Sequence, residues 1–104
     1  MHLDVIVDEG VTYLNVAGEV DLAVADDLRA AGIAALTPLA GTLRIDLSGV
    51  TFMDSTGLSA LVAINKAAGD KHTVVLDRPS SRVSRVLEVS GLNRVLRVNA
   101  TVAQ

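Results

Sequence analysis

The chain has no cysteine and no tryptophan, and its 104 residues include only one tyrosine and one phenylalanine. Without cysteine there can be no disulfide framework and no thiolate metal site. The two histidines, His2 and His72, lie far apart with no ligand-like spacing around either, so we expect neither a zinc site nor any other metal site. The scarcity of aromatic rings also argues against a platform on which nucleic-acid bases could stack.

An excess of basic residues is also missing, because the formal net charge is −3 and the sequence pI is near 5.1. Binding to a phosphate backbone needs clustered Lys and Arg, so we expect no nucleic-acid partner. No uninterrupted apolar run approaches the ~18 residues that a membrane span needs. The N-terminus carries Asp4 and Asp8 where an export signal would carry basic residues and an apolar core. These features predict a soluble, cytoplasmic protein without a membrane partner.

Aliphatic residues are abundant, since half of the chain is hydrophobic and most of those residues are Ala, Val and Leu. A chain of this length predicts a single domain over residues 1–104 that buries roughly two-thirds of its unfolded surface. No internal repeat or low-complexity segment divides it.

The first part of the chain has the pattern of a β-hairpin. Apolar and polar residues alternate over residues 3–8, and a second strand pattern covers residues 11–17. Glu9-Gly10 between them is typical of a tight connection. Gly18-Glu19-Val20-Asp21 is expected to end the second strand.

A helix is predicted after this hairpin, from Leu22 to about Leu36, with Asp21 as its N-cap. Its expected apolar face comprises Val24, Leu28, Ala31 and Ala35. Pro38 prevents the helix from continuing.

The rest of the chain alternates strand and helix patterns. Three strands are predicted, at Thr42–Leu47, Thr73–Leu76 and Val95–Val98. Ser48-Gly49 is expected to end the first of them. The helix between the first two contains Leu58, Leu61, Val62 and Asn65 and ends at Gly69-Asp70. The last helix is capped by Ser80 or Ser81, has the apolar stripe Val83, Val86 and Leu87, and ends at Ser90-Gly91. The resulting order, β-β-α-β-α-β-α-β, predicts an α/β fold with a mixed sheet packed by helices.

A run of small polar residues, Asp54-Ser55-Thr56-Gly57, lies where a strand pattern gives way to a helical one. A helix N-terminus leaves four backbone N–H groups without intrahelical partners, and either Asp54 or Ser55 could cap them. Gly57 is not explained by capping. Glycine in a first helical turn costs roughly 1 kcal/mol relative to alanine, so another backbone or a partner is expected to approach that turn closely.

The run Met53-Asp54-Ser55-Thr56-Gly57-Leu58 resembles the phosphorylation-site motif of anti-sigma factor antagonists, which are bacterial STAS-domain proteins. In that family the serine directly after the aspartate is phosphorylated, and the matching residue is Ser55. Two further segments are similar to the family: Gly18-Glu19-Val20-Asp21, which resembles its Gly-Glu-x-Asp stretch, and Ser90-Gly91-Leu92. The resemblance covers about residues 3 to 98.

The resemblance implies a STAS-like fold and a partner-switching function. The unphosphorylated protein would bind an anti-sigma factor of the serine-kinase type and so release a sigma factor, and phosphorylation of Ser55 would abolish that binding. Partner-binding residues carried over from the family are Glu19, Asp21, Asp54, Ser55, Thr56 and Gly57. No catalytic residue, cofactor, metal or small-molecule substrate is implied, and we expect a monomer or weak dimer.

The sequence departs from the family at its C-terminal end. Family members usually continue with a further helix after the last strand, whereas only a short tail, residues 99–104, is left in this sequence. That tail is long enough for little more than one helical turn.

Two other functions were weighed against partner switching. A serine hydrolase would need Gly-x-Ser-x-Gly, with glycine where Met53 stands, an oxyanion loop and a nearby base, for which His72 is the one candidate by sequence order. We therefore do not expect an enzyme. The main alternative keeps the fold without the switch, as a non-phosphorylated STAS subunit of a larger assembly such as a lipid transporter or a stress-sensing complex.

Overall fold

The computed structural model describes residues 1–99, which form five strands and three α-helices. The strands are β1 (His2–Asp8), β2 (Val11–Val20), β3 (Thr42–Met53), β4 (Thr73–Asp77) and β5 (Arg97–Asn99). The helices are α1 (Leu22–Ala34), α2 (Ser55–Ala68) and α3 (Ser81–Ser90), with a 3₁₀ turn at Leu92–Arg94 before β5. The predicted order of elements and the mixed α/β class are confirmed.

The five strands form one sheet in the order β1-β2-β3-β4-β5. β1 and β2 are antiparallel, as the predicted hairpin requires, and the other neighbouring pairs are parallel. Each helix connects one parallel strand to the next, always in the same direction across the sheet. Because such crossovers are right-handed, the three helices lie on one face, which we call the helix face.

The core lies between the helix face and the helices. Strand residues on that face, such as Leu14, Ile45 and Leu76, are almost fully buried and cluster with Leu28 of α1 and Leu61 of α2. The opposite face, which we call the open face, carries Tyr13, Asn15, Arg44, Asp46 and Asp77 at neighbouring register positions. No helix within residues 1–99 is long and apolar enough to span a bilayer.

β3 is longer than predicted, because it continues through Ser48-Gly49 to Met53. Against β2 its register shifts twice, between Asn15 and Ala17 and again between Gly18 and Glu19, and each shift inserts an extra residue in β3. Such bulges let a strand continue through residues that would otherwise end it. At Gly49 a Cβ atom would lie 3.0 Å from Ala17 Cβ, so glycine allows the two strands to stay close.

The predicted apolar face of α1 is confirmed in part: Leu28 and Ala35 are buried in the core and Val24 packs against it. Ala25, Leu28 and Gly32 are buried, whereas Val24 and Ala31 are only partly buried and the helix ends two residues before Leu36. Gly32 determines this orientation, because a Cβ atom there would lie 2.2 Å from Ile64 Cδ1 of α2. The missing side chain lets α2 approach α1. The sequence prediction missed Gly32 because it counted only apolar side chains as part of the buried face.

The C-terminal prediction is partly wrong. Asn99, placed in the tail by the sequence, belongs to β5: its backbone oxygen accepts from Arg78 N at 2.9 Å and its side-chain amide donates to Asp77 Oδ1 at 3.1 Å. Val95 and Leu96, predicted to begin the strand, precede it. The rest of the predicted tail, residues 100–104, lies outside the described residues.

Candidate functional site

Two helix N-termini meet at the carboxyl ends of β2 and β3. These strands are parallel neighbours, and each is followed directly by a helix. Val20 pairs with Met53 at the carboxyl ends of these strands, and Asp54 N donates to Val20 O at 3.2 Å. Asp21 is the N-cap of α1 and Asp54 is the N-cap of α2. The Gly-Glu-x-Asp segment and the Asp-Ser-Thr-Gly segment are therefore brought together.

Asp54 is held as an ionised cap by the residues that follow it. Its Oδ1 accepts from Thr56 N at 3.0 Å and from Gly57 N at 3.3 Å, and the Thr56 hydroxyl donates to the same oxygen. The Thr56 hydroxyl and these backbone donors lower the pKa of Asp54 below its usual value. Of the two predicted cap candidates, Asp54 provides the cap.

Ser55 is the first residue of α2 and is exposed. Within residues 1–99 its hydroxyl makes no hydrogen bond. The neighbouring hydroxyl of Thr56 is partly buried and is occupied by Asp54. Of these two adjacent hydroxyls, that of Ser55 is the one available to another molecule.

Gly57 is buried against the ends of both strands. A Cβ atom at this position would lie 2.6 Å from Met53 Cγ and 2.9 Å from Val20 Cγ1. The expected close approach is present, but side chains make it and not another backbone. Gly57 therefore allows the first turn of α2 to pack against the strand ends, while its neighbour Ser55 is exposed on the surface.

Glu19 is exposed at the end of β2, paired in register with Phe52 of β3. Within the described residues its carboxylate forms no ion pair. Glu19 lines a concavity with Phe52 and Arg82, whereas Asp21 and Asp54 cap the starts of α1 and α2. The carboxyl ends of β2 and β3 therefore carry these three carboxylates, and Arg82 and Arg85 of α3 line the neighbouring concavities.

An apolar groove next to the last residues of β3 was not predicted from the sequence. It has a volume of about 450 Å³ and lies between the end of β3 and α3, lined by Phe52, Met53, Arg82, Arg85, Val86 and Val89. Phe52 and Val89 remain 40% and 79% exposed. The available signal was the single phenylalanine beside the polar motif, but its exposure depends on where α3 packs.

The arrangement does not support the hydrolase alternative. His72 lies just before β4, and its Nε2 is 2.9 Å from Thr37 O. That is the amino end of a strand parallel to β3, whereas Ser55 follows the carboxyl end of β3. The one candidate base therefore lies at the amino ends of the strands, and Ser55 lies at their carboxyl ends. Among residues 1–99 there is also no group of three or more His, Cys, Asp or Glu side chains that could hold a metal ion.

Sequence comparison connects this arrangement to known proteins. A family model described as "Mlab, STAS domain" matches residues 6–98. An anti-sigma-B factor antagonist of Bacillus subtilis (strain 168) is 34% identical over 107 residues, with 96% of this chain and 92% of the relative covered. That of Staphylococcus aureus (strain NCTC 8325 / PS 47) is 35% identical over 92 residues, with 83% and 81% covered.

Solved structures show the same fold. An anti-sigma factor antagonist from Mycobacterium paratuberculosis superposes with a TM-score of 0.87 at 28% identity, covering 97% of this chain and 86% of that one. The anti-sigma factor antagonist SpoIIAA in its unphosphorylated form superposes with a TM-score of 0.77 at 20% identity, covering 96% and 90%.

Proposed function

Since the chain belongs to the STAS domain family, we propose that it is an anti-sigma factor antagonist that works by partner switching in the cytoplasm. The unmodified protein binds an anti-sigma factor of the serine-kinase type and thereby releases a sigma factor. Phosphorylation of Ser55 by that kinase ends the complex. The chain is a binding partner and a kinase substrate, and it performs no catalysis itself.

The observation that carries this proposal is the difference between two adjacent hydroxyls. Ser55 is exposed with its hydroxyl unengaged in the described part of the chain, whereas the Thr56 hydroxyl donates to Asp54. A kinase needs an accessible hydroxyl that can take the γ-phosphoryl group of ATP and lose its proton, and Ser55 provides one. SpoIIAA, a protein of the same fold, exists in a phosphorylated and an unphosphorylated form.

The charge of the surrounding surface explains why phosphorylation would end binding. A phosphoserine adds about −1.5 to −2 charge at neutral pH. At Ser55 this charge lies next to the Asp54 carboxylate, whose acceptor atoms already occupy the N–H groups of Thr56 and Gly57. Asp21 adds a further carboxylate at the neighbouring helix start, and Glu19 lies at the end of β2 in a concavity that it shares with Arg82. Burying this cluster against a partner costs several kcal/mol unless cations compensate it, so the modified protein dissociates while its fold is retained.

The test combines three variants with a cognate anti-sigma kinase. Ser55→Ala should fold, bind the anti-sigma factor and take up no phosphate, because losing an exposed hydroxyl next to the cap removes no existing bond. Ser55→Asp should fold and bind at least about tenfold more weakly, since each 1.4 kcal/mol is a factor of ten in affinity. Ser59→Ala is the matched control, because Ser59 is exposed one turn further along α2, and it should behave as wild type.

Mass spectrometry and titration calorimetry provide the readouts. Phosphate found on Thr56, or equal affinity of the phosphorylated and unmodified proteins for the anti-sigma factor, would contradict the switch. A chain that binds no anti-sigma factor and accepts no phosphate would instead favour the alternative of a non-phosphorylated subunit in a larger assembly.

A further inference from the structure

β1 forms one edge of the sheet, and within residues 1–99 no strand pairs with its outer side. It is seven residues long and carries three large apolar side chains that remain half exposed: Val5 at 51%, Ile6 at 50% and Val7 at 59%. Natural edge strands of this length are usually blunted by proline, lysine or a bulge. β1 has no proline, lysine or bulge, and its pairing with β2 is regular from His2 to Asp8. Charged side chains also protect edges, but those of β1 are the carboxylates of Asp4 and Asp8, which both lie on the open face.

We propose that this edge binds a second copy of the chain, with the two β1 strands antiparallel about a twofold axis perpendicular to the sheet. The two five-stranded sheets then join into one sheet of ten strands. This interaction is separate from the proposed partner switch, and it specifies the dimer through backbone pairing.

Symmetry restricts the possible registers. A twofold axis perpendicular to the sheet keeps each side chain on its own face, so one residue must lie opposite its own copy. Centring on Asp4 or on Ile6 gives five residue pairs each, and places Asp4 opposite Asp4 or Asp4 opposite Asp8. Centring on Val5 pairs all seven residues of β1 and places no two carboxylates directly opposite each other.

The side chains of the strand are complementary in the register centred on Val5. On the helix face, Leu3 lies opposite Val7 and Val5 opposite Val5, which forms a continuous apolar row where large side chains are now exposed. On the open face, His2 lies opposite Asp8, and Asp4 lies opposite Ile6. The diagonal carboxylates there point toward solvent, where water and salt screen their repulsion.

The proposed interface leaves the candidate functional site accessible. β1 is separated from β3 by β2, and Ser55 follows the far end of β3 on another element. Both copies of the dimer can therefore present Ser55. A partner that binds this serine does not have to displace the second copy.

Because the chain has no cysteine, single cysteine variants test the register directly. Residues directly opposite in an antiparallel pair have Cα atoms about 4.5–5.5 Å apart, which a disulfide can bridge. With an added mild oxidant, Val5→Cys should form a disulfide-linked dimer in which two thiols lose their hydrogens to the oxidant. Val7→Cys is the control, because its two copies lie about 13 Å apart along the strands. Mixing Leu3→Cys with Val7→Cys should restore cross-linking between the two variants.

Sedimentation of the wild-type chain gives the second readout. It should show a reversible dimer, and Val5→Lys should weaken that dimer about tenfold or more, since two like charges would lie directly opposite each other. Val5→Lys should still bind the anti-sigma factor, which separates this inference from the proposed function. A wild-type monomer together with no cross-linking of Val5→Cys would overturn the proposal. Equal cross-linking of Val5→Cys and Val7→Cys would overturn the register.

Discussion

Gly57 connects the Asp54-Ser55-Thr56 segment to the core, because the side chain that glycine lacks leaves room for core residues. Met53 and Val20, the last residues of two neighbouring strands, occupy the space that a Cβ atom would need. The glycine therefore allows α2 to start directly above the strand ends, and that start fixes the position of Ser55.

Gly57→Ala should lower the free energy of unfolding by up to about 2 kcal/mol. Overpacking typically costs 1–3 kcal/mol, and the better helix propensity of alanine returns only part of it, roughly 1 kcal/mol. Urea denaturation measures the change. Gly41→Ala is the control, because nothing lies within 4 Å of its Cβ position, and its stability should stay the same or rise by about 0.4–1 kcal/mol. Equal effects of the two substitutions would mean that Met53 and Val20 yield without cost.

The sequence predicted the capping residues well and the contacts of Gly57 less well. Asp21 and Asp54 are identifiable as caps because an N-cap bonds to backbone two or three residues further along the chain. The same local chemistry chose Asp54 over Ser55 as the cap, which the sequence left open. The burial of Gly57 beneath Val20 could not be predicted, because 37 positions separate those residues and only the pairing of β2 with β3 brings them together.

Helix α1 is capped by Asp21, whose carboxylate accepts from Ala23 N at 3.1 Å. Asp21 lies beside the start of α2, so under the proposed function it has a second role, in partner binding. A charge-removing substitution that keeps the cap can tell the two roles apart.

Asp21→Ala should lower the free energy of unfolding by about 1 kcal/mol through loss of the cap, and should also weaken binding to the anti-sigma factor. Asp21→Asn should keep the stability, since asparagine caps as well as aspartate, while still weakening binding if the carboxylate contacts the partner. Thermal unfolding and titration calorimetry measure the two effects. Unchanged affinity in both folded variants would leave Asp21 as a structural cap only.

The elements themselves were predicted where their patterns are local. The hairpin and the three helices were placed within a few residues. The signals used for them, which are alternation, helical spacing and turn residues, depend only on residues close together in the sequence. The length of β3 was underestimated, since Ser48-Gly49 has the composition of a strand end and only the bulged pairing with β2 carries the strand on to Met53. The face of α1 was predicted in part: Leu28, Ala35 and Val24 belong to it, but Gly32 was missed because it contributes by its close contact with α2.

On the open face of the sheet, an ion pair and a hydrogen bond connect β3, β4 and β5. Arg44 of β3 donates to both carboxylate oxygens of Asp77 of β4, at 2.7 and 2.8 Å, and Asn99 of β5 donates to the same carboxylate. The hydrogen bonds from Arg44 to Asp77 raise the pKa of the guanidinium above its usual value. Three neighbouring strands therefore share one carboxylate.

Asp77→Ala should lower the free energy of unfolding by about 1–2 kcal/mol, because Arg44 loses its bidentate partner in a setting where its side chain is only 30% exposed. Arg44→Ala combined with Asp77→Ala should cost less than the sum of the two single changes, with a coupling energy of roughly 1 kcal/mol. Chemical denaturation of the four proteins in the cycle measures it. Additive changes would mean that the pair contributes nothing beyond its separate contacts.

The strand order could be derived only in part from the sequence. Alternating strands and helices predict a mixed sheet, but which strand becomes an edge depends on crossover direction and on the fit of helices against each other. The open face was unpredicted for the same reason, since Arg44 and Asp77 are 33 positions apart.

The strand order β1-β2-β3-β4-β5 has a consequence for biosynthesis. Each strand pairs with the one translated immediately before it, so the sheet can grow one strand at a time in the order in which the ribosome delivers them. No strand has to wait for a later one to be inserted between it and its neighbour. The entropy of loop closure is therefore distributed over short steps between successive elements, and the polypeptide can fold in the direction of its synthesis.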